Sequence, residues 1–314
     1  MDTLDGINAE KAADQDGRIT EVAVIGAGMM GRGIARTCAA RGIQVALLEV
    51  EGEPLQRGMA QLNGEMDQEI ARWGMTQSEK RAILARIKGA VDHLEASRAQ
   101  IVIEAITEDF DRKKALFQQL DELCPPESIF VTNTSSLSIT ELAATTRRED
   151  RFIGLHFLNP VPKIPMVEIV RGLKTSDDTF RIVQDFARVL DKTPVEVFEY
   201  PGYITTRIIV TMLNEAMYVL MEGVATAESI DTAMKLGFNQ PIGPLALADQ
   251  IGLDEVMRWM KILHDELGDM KYRPCPLLRK MVRAGHLGKK AGRGFFHYDK
   301  DGRRLPATVS SHSV

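Results

Sequence analysis

Three glycines, two carboxylates and a histidine are the residues of this chain whose types and spacing could do chemistry. Gly26-Ala27-Gly28-Met29-Met30-Gly31 has the G-x-G-x-x-G spacing, follows a short apolar run and opens a stretch of helical periodicity. Each glycine has its own task in such a turn. Gly26 permits the tight bend, Gly28 lets the backbone approach a pyrophosphate, and Gly31 lets the helix pack closely on the sheet. The pyrophosphate charge then sits at a helix N-terminus, with Met29 and Met30 in the first turn. Glu49 ends the next apolar run, where a carboxylate accepts hydrogen bonds from the adenosine ribose hydroxyls. The same charge repels a 2′-phosphate by roughly 1 kcal/mol in water and by several at lower effective dielectric. Val50, Glu51 and Gly52 bring no cation to offset it, so the spacing predicts NAD rather than NADP. A structural glycine turn in some other α/β protein is the competing reading.

His156 follows the apolar run Phe152-Ile153-Gly154-Leu155, which puts it at the carboxyl end of a strand, where open parallel sheets bind ligands. Glu168 sits inside Met166-Val167-Glu168-Ile169-Val170, an odd place for a carboxylate without a partner. Histidine titrates near neutrality and suits the removal of a proton from an alcohol that loses hydride. A paired carboxylate would orient the ring and stabilise the imidazolium. On pattern alone, His156 reads equally well as a buried packing residue. The other histidines, His93, His264, His286, His297 and His312, have no comparable setting.

The elements that must position these groups alternate. Apolar, β-branched runs at 21–25, 43–48, 101–103, 129–131, 151–155, 166–170 and 195–198 read as strands. Helical periodicity fills 29–41, 53–74, 77–87, 111–123 and 180–190, and Ser138 with Glu141 suggests a capping box before a further helix. The alternation predicts a Rossmann-type doubly wound α/β sheet over 21–199. Beyond Pro201-Gly202 the pattern is helical, over 207–224, 227–236, 245–267 and 276–284, which predicts an all-helical C-terminal domain over 200–299. Residues 1–20 and 300–314 read as tails.

Composition narrows the class. The chain has 314 residues, 44% hydrophobic and 26% charged, with net charge −5, which is a soluble globular profile with no global attraction for nucleic acid or an anionic membrane. No apolar run reaches membrane-spanning length, and the first twenty residues lack the apolar core of a secretory signal. Cys38, Cys124 and Cys275 are far apart and form no C-x-x-C pair, so no metal site or disulfide framework is expected and a reducing cytoplasm is.

VIGAGMMGRGIA, VTNTSSLSIT, GLHFLNPVPKIPMVEIV, IDTAMKLGFNQPIGPLALADQIGLD and GKKAGRGFF together resemble the L-3-hydroxyacyl-CoA dehydrogenase family, in particular its bacterial 3-hydroxybutyryl-CoA branch, from about residue 21 to 299. The resemblance implies NAD-dependent hydride transfer at C3 of an acyl-CoA, giving a β-keto thioester. It makes His156 the general base and Glu168 its orienting partner, and puts Ser135 and Asn159 beside the reacting oxygen and the nicotinamide. Glu108 and Lys113 would contact the cofactor, Lys290 would reach it from the second domain, and a homodimer would form through the C-terminal domain. Without the resemblance, Ser135 and Asn159 are ordinary turn residues and both lysines solvated charges.

The chain departs from the family pattern twice. Members commonly read P-G-F-x-x-N-R where this chain has Pro201-Gly202-Tyr203-Ile204-Thr205-Thr206-Arg207, so Thr206 stands for an active-site asparagine. A hydroxyl keeps a donor and acceptor but loses the amide's reach and second donor, which predicts altered substrate preference or rate. Second, the helix after Glu49, where members bring a small polar residue and a lysine to the CoA nucleotide, reads Leu62-Asn63-Gly64-Glu65-Met66-Asp67-Gln68-Glu69-Ile70-Ala71-Arg72, with only Arg72 as a phosphate partner. That favours one alternative, a dehydrogenase of a free 3-hydroxy acid or polyol/carnitine-type substrate. A non-catalytic, crystallin-like binding protein on the same fold is a further alternative, against which the intact set of His156, Glu168, Ser135 and Asn159 stands.

Overall fold

The computed structural model describes residues 18–306, which divide into two compact units. One holds the chain to Thr134 and Ile139–Glu196; the other holds Ser135–Ser138 and the chain from Val197.

The first unit is built on strands β1 (Glu21–Ile25), β2 (Gln44–Leu48), β3 (Ile87–Ala90), β4 (Ile101–Glu104), β5 (Ile129–Thr132), β6 (Phe152–Phe157), β7 (Met166–Arg171) and β8 (Thr193–Phe198). They form one sheet in the order β3-β2-β1-β4-β5-β6-β7-β8. The pairs from β3 through β6 are parallel, and β7 runs antiparallel to β6. Between them lie α1 (Met29–Ala40), α2 (Gly52–Ala71), α3 (Gln77–Leu84), α4 (Phe110–Leu123), α5 (Ile139–Ala143) and α6 (Asp177–Val189). β1, β4, β5 and β6 are apolar along nearly their whole length because both sheet faces are covered. Val22, Val24, Ile101, Ile103, Val131, Ile153 and Leu155 enter one core, while Phe130 and Phe152 pack on Phe117 of α4 on the other side.

β3 corrects the expectation of a helix running to residue 87. The helix stops at Leu84, and Ile87-Lys88-Gly89-Ala90 adds an edge strand to β2. It is short, with one fully buried apolar residue, so periodicity had little to register. Gly89 belongs there because a side chain would press on Leu55 of α2 at 3.3 Å.

The second unit contains α7 (Thr205–Met221), α8 (Ala227–Gly237), α9 (Pro244–Ile251), α10 (Leu253–Leu267) and α11 (Pro276–Arg283) around Val210, Leu213, Met217, Leu245, Val256, Met260, Leu263 and Leu278. The single helix expected over 245–267 is two. Gly252 has φ +106°, outside the helical region, and ends α9 after eight residues. Asp231 of α8 caps α9 by accepting from Leu245 N and Ala246 N at 2.8 and 3.0 Å. Asp249 of α9 accepts from Phe295 N and Phe296 N, both at 2.9 Å, and from the Tyr298 hydroxyl, tying the glycine-rich C-terminal segment to the helices.

The expected tails are shorter than drawn. Thr20 N donates to Gln100 Oε1 at 2.7 Å and Thr20 O accepts from Gln44 N, so the chain is tied to the sheet from there. At the other end Leu305 N donates to His297 O, Arg304 lies over the Phe296 ring and pairs with Glu228, and residues 300–305 fold back on their unit. The rest of both expected tails, 1–17 and 307–314, lies outside the described residues.

Candidate active site

The glycine turn has the geometry its spacing implies. Gly26 has φ +105°, and a Cβ there would stand 2.7 Å from Ala105 O; a Cβ on Gly31 would stand 1.8 Å from Gly26 O. Neither position admits another residue without moving backbone. Gly28 differs: a Cβ would meet nothing within 4 Å, and this exposed residue is the N-cap of α1 without a side-chain cap. The turn therefore offers uncapped N–H groups facing open space, which fits a pyrophosphate. Met29, exposed, and Met30, half-buried, open the helix. Glu49 stands at the end of β2 and accepts from Ala27 N at 2.7 Å, so the acid also holds the turn.

Next to the turn, β4 ends in Glu104, a wholly buried carboxylate. It accepts from Lys113 Nζ at 2.7 and 2.8 Å, from Thr132 Oγ1 at 2.6 Å and from Ile106 N at 2.7 Å. Lys113 also pairs with Glu108 at 3.1 Å, and Thr134 Oγ1 donates to Glu108 at 2.6 Å. Burial pushes the Glu104 carboxyl up despite the lysine. Burial opposes the Lys113 ammonium, yet the charges of Glu104 and Glu108 outweigh it and hold it above the usual lysine range. Lys113 is thus an internal tie beneath Glu108. Glu104 and Thr132 went unassigned in the sequence; a carboxylate ending an apolar strand, nine residues before a lysine, is the signal that marks them.

His156 and Glu168 are register partners on β6 and β7, and because strand side chains alternate they project from the same face of the sheet. His156 Nδ1 lies 2.6 Å from Glu168 Oε2, both residues buried. The hairpin explains the carboxylate in an apolar strand: its neighbour across the ladder is the histidine. Asn133 Oδ1 accepts from Phe157 N at 2.9 Å, fixing the residue after His156 to the end of β5. Exposed Asn159 directs its amide at Met29 Sδ, 3.4 Å away, at the start of α1.

The other expected site residues fall in the second unit. Ser135, half-buried, follows β5 within the segment Ser135–Ser138. Thr206 is buried in the first turn of α7. Lys290 pairs with Asp254 at 2.6 Å. Two of the helix α2 acids are also engaged, Glu65 by Arg32 at 2.8 Å and Glu69 by Arg36 at 2.6 Å, and the Arg36 hydrogen bond holds the Glu69 carboxyl below the usual range.

A dinucleotide turn with an acid at the next strand, and a histidine–carboxylate pair further along the same sheet, define a nicotinamide-dependent dehydrogenase of alcohols. Residues 21–200 match the model of the 3-hydroxyacyl-CoA dehydrogenase NAD binding domain and residues 202–298 that of the 3-hydroxyacyl-CoA dehydrogenase C-terminal domain. The chain belongs to the 3-hydroxyacyl-CoA dehydrogenase family and is an NAD-dependent oxidoreductase. It is 48% identical to a probable 3-hydroxybutyryl-CoA dehydrogenase of Bacillus subtilis over 90% of this chain and 98% of that one. It is also similar to the crystal structure of (S)-3-hydroxybutyryl-CoA dehydrogenase from Ralstonia eutropha, with TM-score 0.84 and 47% identity over 90% of this chain and 100% of the other. A Mycobacterium tuberculosis structure, FadB2, aligns at TM-score 0.87 and 36% identity, covering 90% and 99%. Among the described residues no helix is long and apolar enough to cross a membrane.

Proposed function

We propose that the chain interconverts short-chain L-3-hydroxyacyl-CoA, of the 3-hydroxybutyryl type, and the corresponding 3-ketoacyl-CoA, with His156 as general base and acid. The observation that carries the reading is the 2.6 Å contact between His156 Nδ1 and Glu168. With Nδ1 committed to the carboxylate, Nε2 is the nitrogen that exchanges a proton with the substrate. In oxidation Nε2 takes the hydroxyl proton of the substrate; NAD, held at the glycine turn, would supply the acceptor for the hydride that leaves C3. Glu168 then faces an imidazolium, whose charge it stabilises. Asn159 borders the reacting oxygen, Glu108, tied from beneath by buried Lys113, borders the cofactor, and Gly26, Gly28, Met29, Met30, Gly31 and Glu49 line its adenosine and pyrophosphate.

The four-carbon preference rests on the relatives named above. A CoA ester is favoured over a free acid because Arg32 and Arg36 offset two acids of α2. Homodimerisation through the helical domain is supported by exposed Ile208, Val224, Leu236 and Phe238, apolar area of the kind interfaces cover. A reducing cytoplasm suits three free, buried cysteines.

The test is NADH oxidation by acetoacetyl-CoA beside free acetoacetate, with His156→Ala as control. Turnover of the thioester, lost by about 10²–10⁴-fold in the variant, is expected. Turnover of acetoacetate alone moves the substrate to free acids; tight NADH binding without turnover of either turns the protein into a binding module.

A further inference from the structure

We propose that Lys192, outside the reacting groups, is a positioning residue that fixes the loop carrying Asn159, through Nζ hydrogen bonds to Val161 O and Ile164 O. The inference deepens the reading above and rests on it for the role of Asn159.

The loop over 158–165 joins β6 to β7, and thus connects His156 to Glu168. It is held at three places. Asn159 reaches Met29 Sδ. Val161 is buried against Gly33 of α1, where a Cβ would stand only 3.0 Å from the Val161 Cβ. Lys192, buried, enters from behind and donates to Val161 O at 2.7 Å and Ile164 O at 2.6 Å. Pro160 O already accepts from Lys163 N and Ile164 N, and Pro165 O from Thr193 N, so the loop's carbonyls are engaged from Pro160 to Pro165 at four positions.

The approach of Lys192 is itself built. α6 ends in a Schellman arrangement: Asp191 N donates to Arg188 O and Lys192 N to Ala187 O, each at 3.0 Å. Asp191 holds the left-handed position with φ +56°, where glycine is the common occupant. Its carboxylate is engaged by Arg41 at the end of α1. The chain thereby turns sharply enough for the next side chain to point back under the loop. An ammonium buried against two carbonyls is a costly thing to place in a core unless the backbone it satisfies must stay still. Burial lowers the Lys192 pKa, in keeping with a group taken out of water, and nearby Arg41 adds to the effect.

The test is a double-mutant cycle between Lys192→Met and Asn159→Ala, read as kcat for NADH oxidation by acetoacetyl-CoA, with NADH affinity followed by fluorescence. Lys192→Met alone is expected to lower kcat about tenfold, the scale of a slightly misplaced group, with little change in NADH affinity. In the Asn159→Ala background the same change is expected to cost less than about twofold, because the group it positions is gone. Fully additive losses, or an unchanged kcat in folded Lys192→Met, overturn the proposal. If that variant does not fold, Gly33→Ala pushes the same loop from the α1 side and is expected to show the same non-additivity. Loss of activity in His156→Ala and Asn159→Ala with none in the loop variants removes Lys192 only; wild-type activity in Asn159→Ala removes both the clamp and the role of Asn159.

Discussion

His156 and Glu168 stand directly across an antiparallel ladder, with ring nitrogen and carboxylate 2.6 Å apart and both residues buried. A contact set by strand register needs no loop to hold it, so each side chain is aimed by backbone that also builds the sheet. Glu168→Gln keeps the size and a hydrogen-bond partner but removes the charge that favours an imidazolium. We expect kcat with acetoacetyl-CoA to fall by about 10²–10⁴-fold while NADH affinity stays near wild type. Stopped-flow or steady-state NADH oxidation checks it, and near-normal turnover would falsify the pairing as part of the mechanism.

Glu49 holds the glycine turn through Ala27 N, and under the proposed placement of the cofactor its charge would repel a 2′-phosphate. Glu49→Gln separates the two functions, because the amide oxygen can still accept from Ala27 N. The preference for NADH over NADPH should shrink by at least about tenfold, the equivalent of removing 1.4 kcal/mol of repulsion. Comparing kcat/KM for the two cofactors measures it; an unchanged ratio assigns the discrimination elsewhere.

The buried Glu104–Lys113 pair is a matter of stability as much as of site shape. Lys113→Met leaves Glu104 with two neutral donors but no cation, at an expected loss of about 3–5 kcal/mol. Adding Glu104→Gln should recover much of that, since two neutral groups replace a broken ion pair. Urea unfolding of the wild type, both single variants and the double variant decides the point: equal instability of Lys113→Met and the double variant speaks against a desolvated charge.

Much of this arrangement is legible in the residue string. The glycine turn, Glu49 and the run around His156 announce themselves because each needs a residue type that apolar packing alone does not explain. Strand β3 is not legible: Ile87-Lys88-Gly89-Ala90 has too little alternation to separate it from the end of α3. Nor is the break between α9 and α10, since a glycine inside an apolar helical pattern is tolerated as often as not, and only the +106° φ at Gly252 makes it a terminator. Lys192 is hidden for another reason. Its partners are backbone carbonyls, which leave no trace in side-chain types, and its pairing spans a helix and a loop.

Asp249 contributes a pH dependence to the stability of the second unit. Burial pushes its carboxyl up to about 6, against the pull of Phe295 N, Phe296 N and the Tyr298 hydroxyl. A folded-state value above the unfolded one, about 3.9, means that the group's contribution is fully present below about pH 4 and is lost as pH rises through about 6. Asp249→Asn cannot ionise. The stability of the wild type relative to this variant should therefore be higher at pH 4 than at pH 7, by on the order of 2–3 kcal/mol. Denaturant titrations at the two pH values test the slope, and a difference that grows with pH contradicts it.

Thr206 is one of the two places where the chain departs from the family pattern, standing where an asparagine is expected. It is buried in the first turn of α7, so an asparagine of similar volume can replace it without filling solvent-facing space. Threonine offers one donor and an acceptor, whereas an amide offers two donors and longer reach. A hydrogen bond gained or lost at a substrate oxygen is worth about 0.5–1.5 kcal/mol, or roughly two- to tenfold in rate. Thr206→Asn should shift kcat/KM within that range, and unequally between four-carbon and longer acyl-CoAs, with stability changed by less than about 1 kcal/mol. Unchanged kinetic constants across a chain-length series would mean that Thr206 does not touch the reacting part of the substrate.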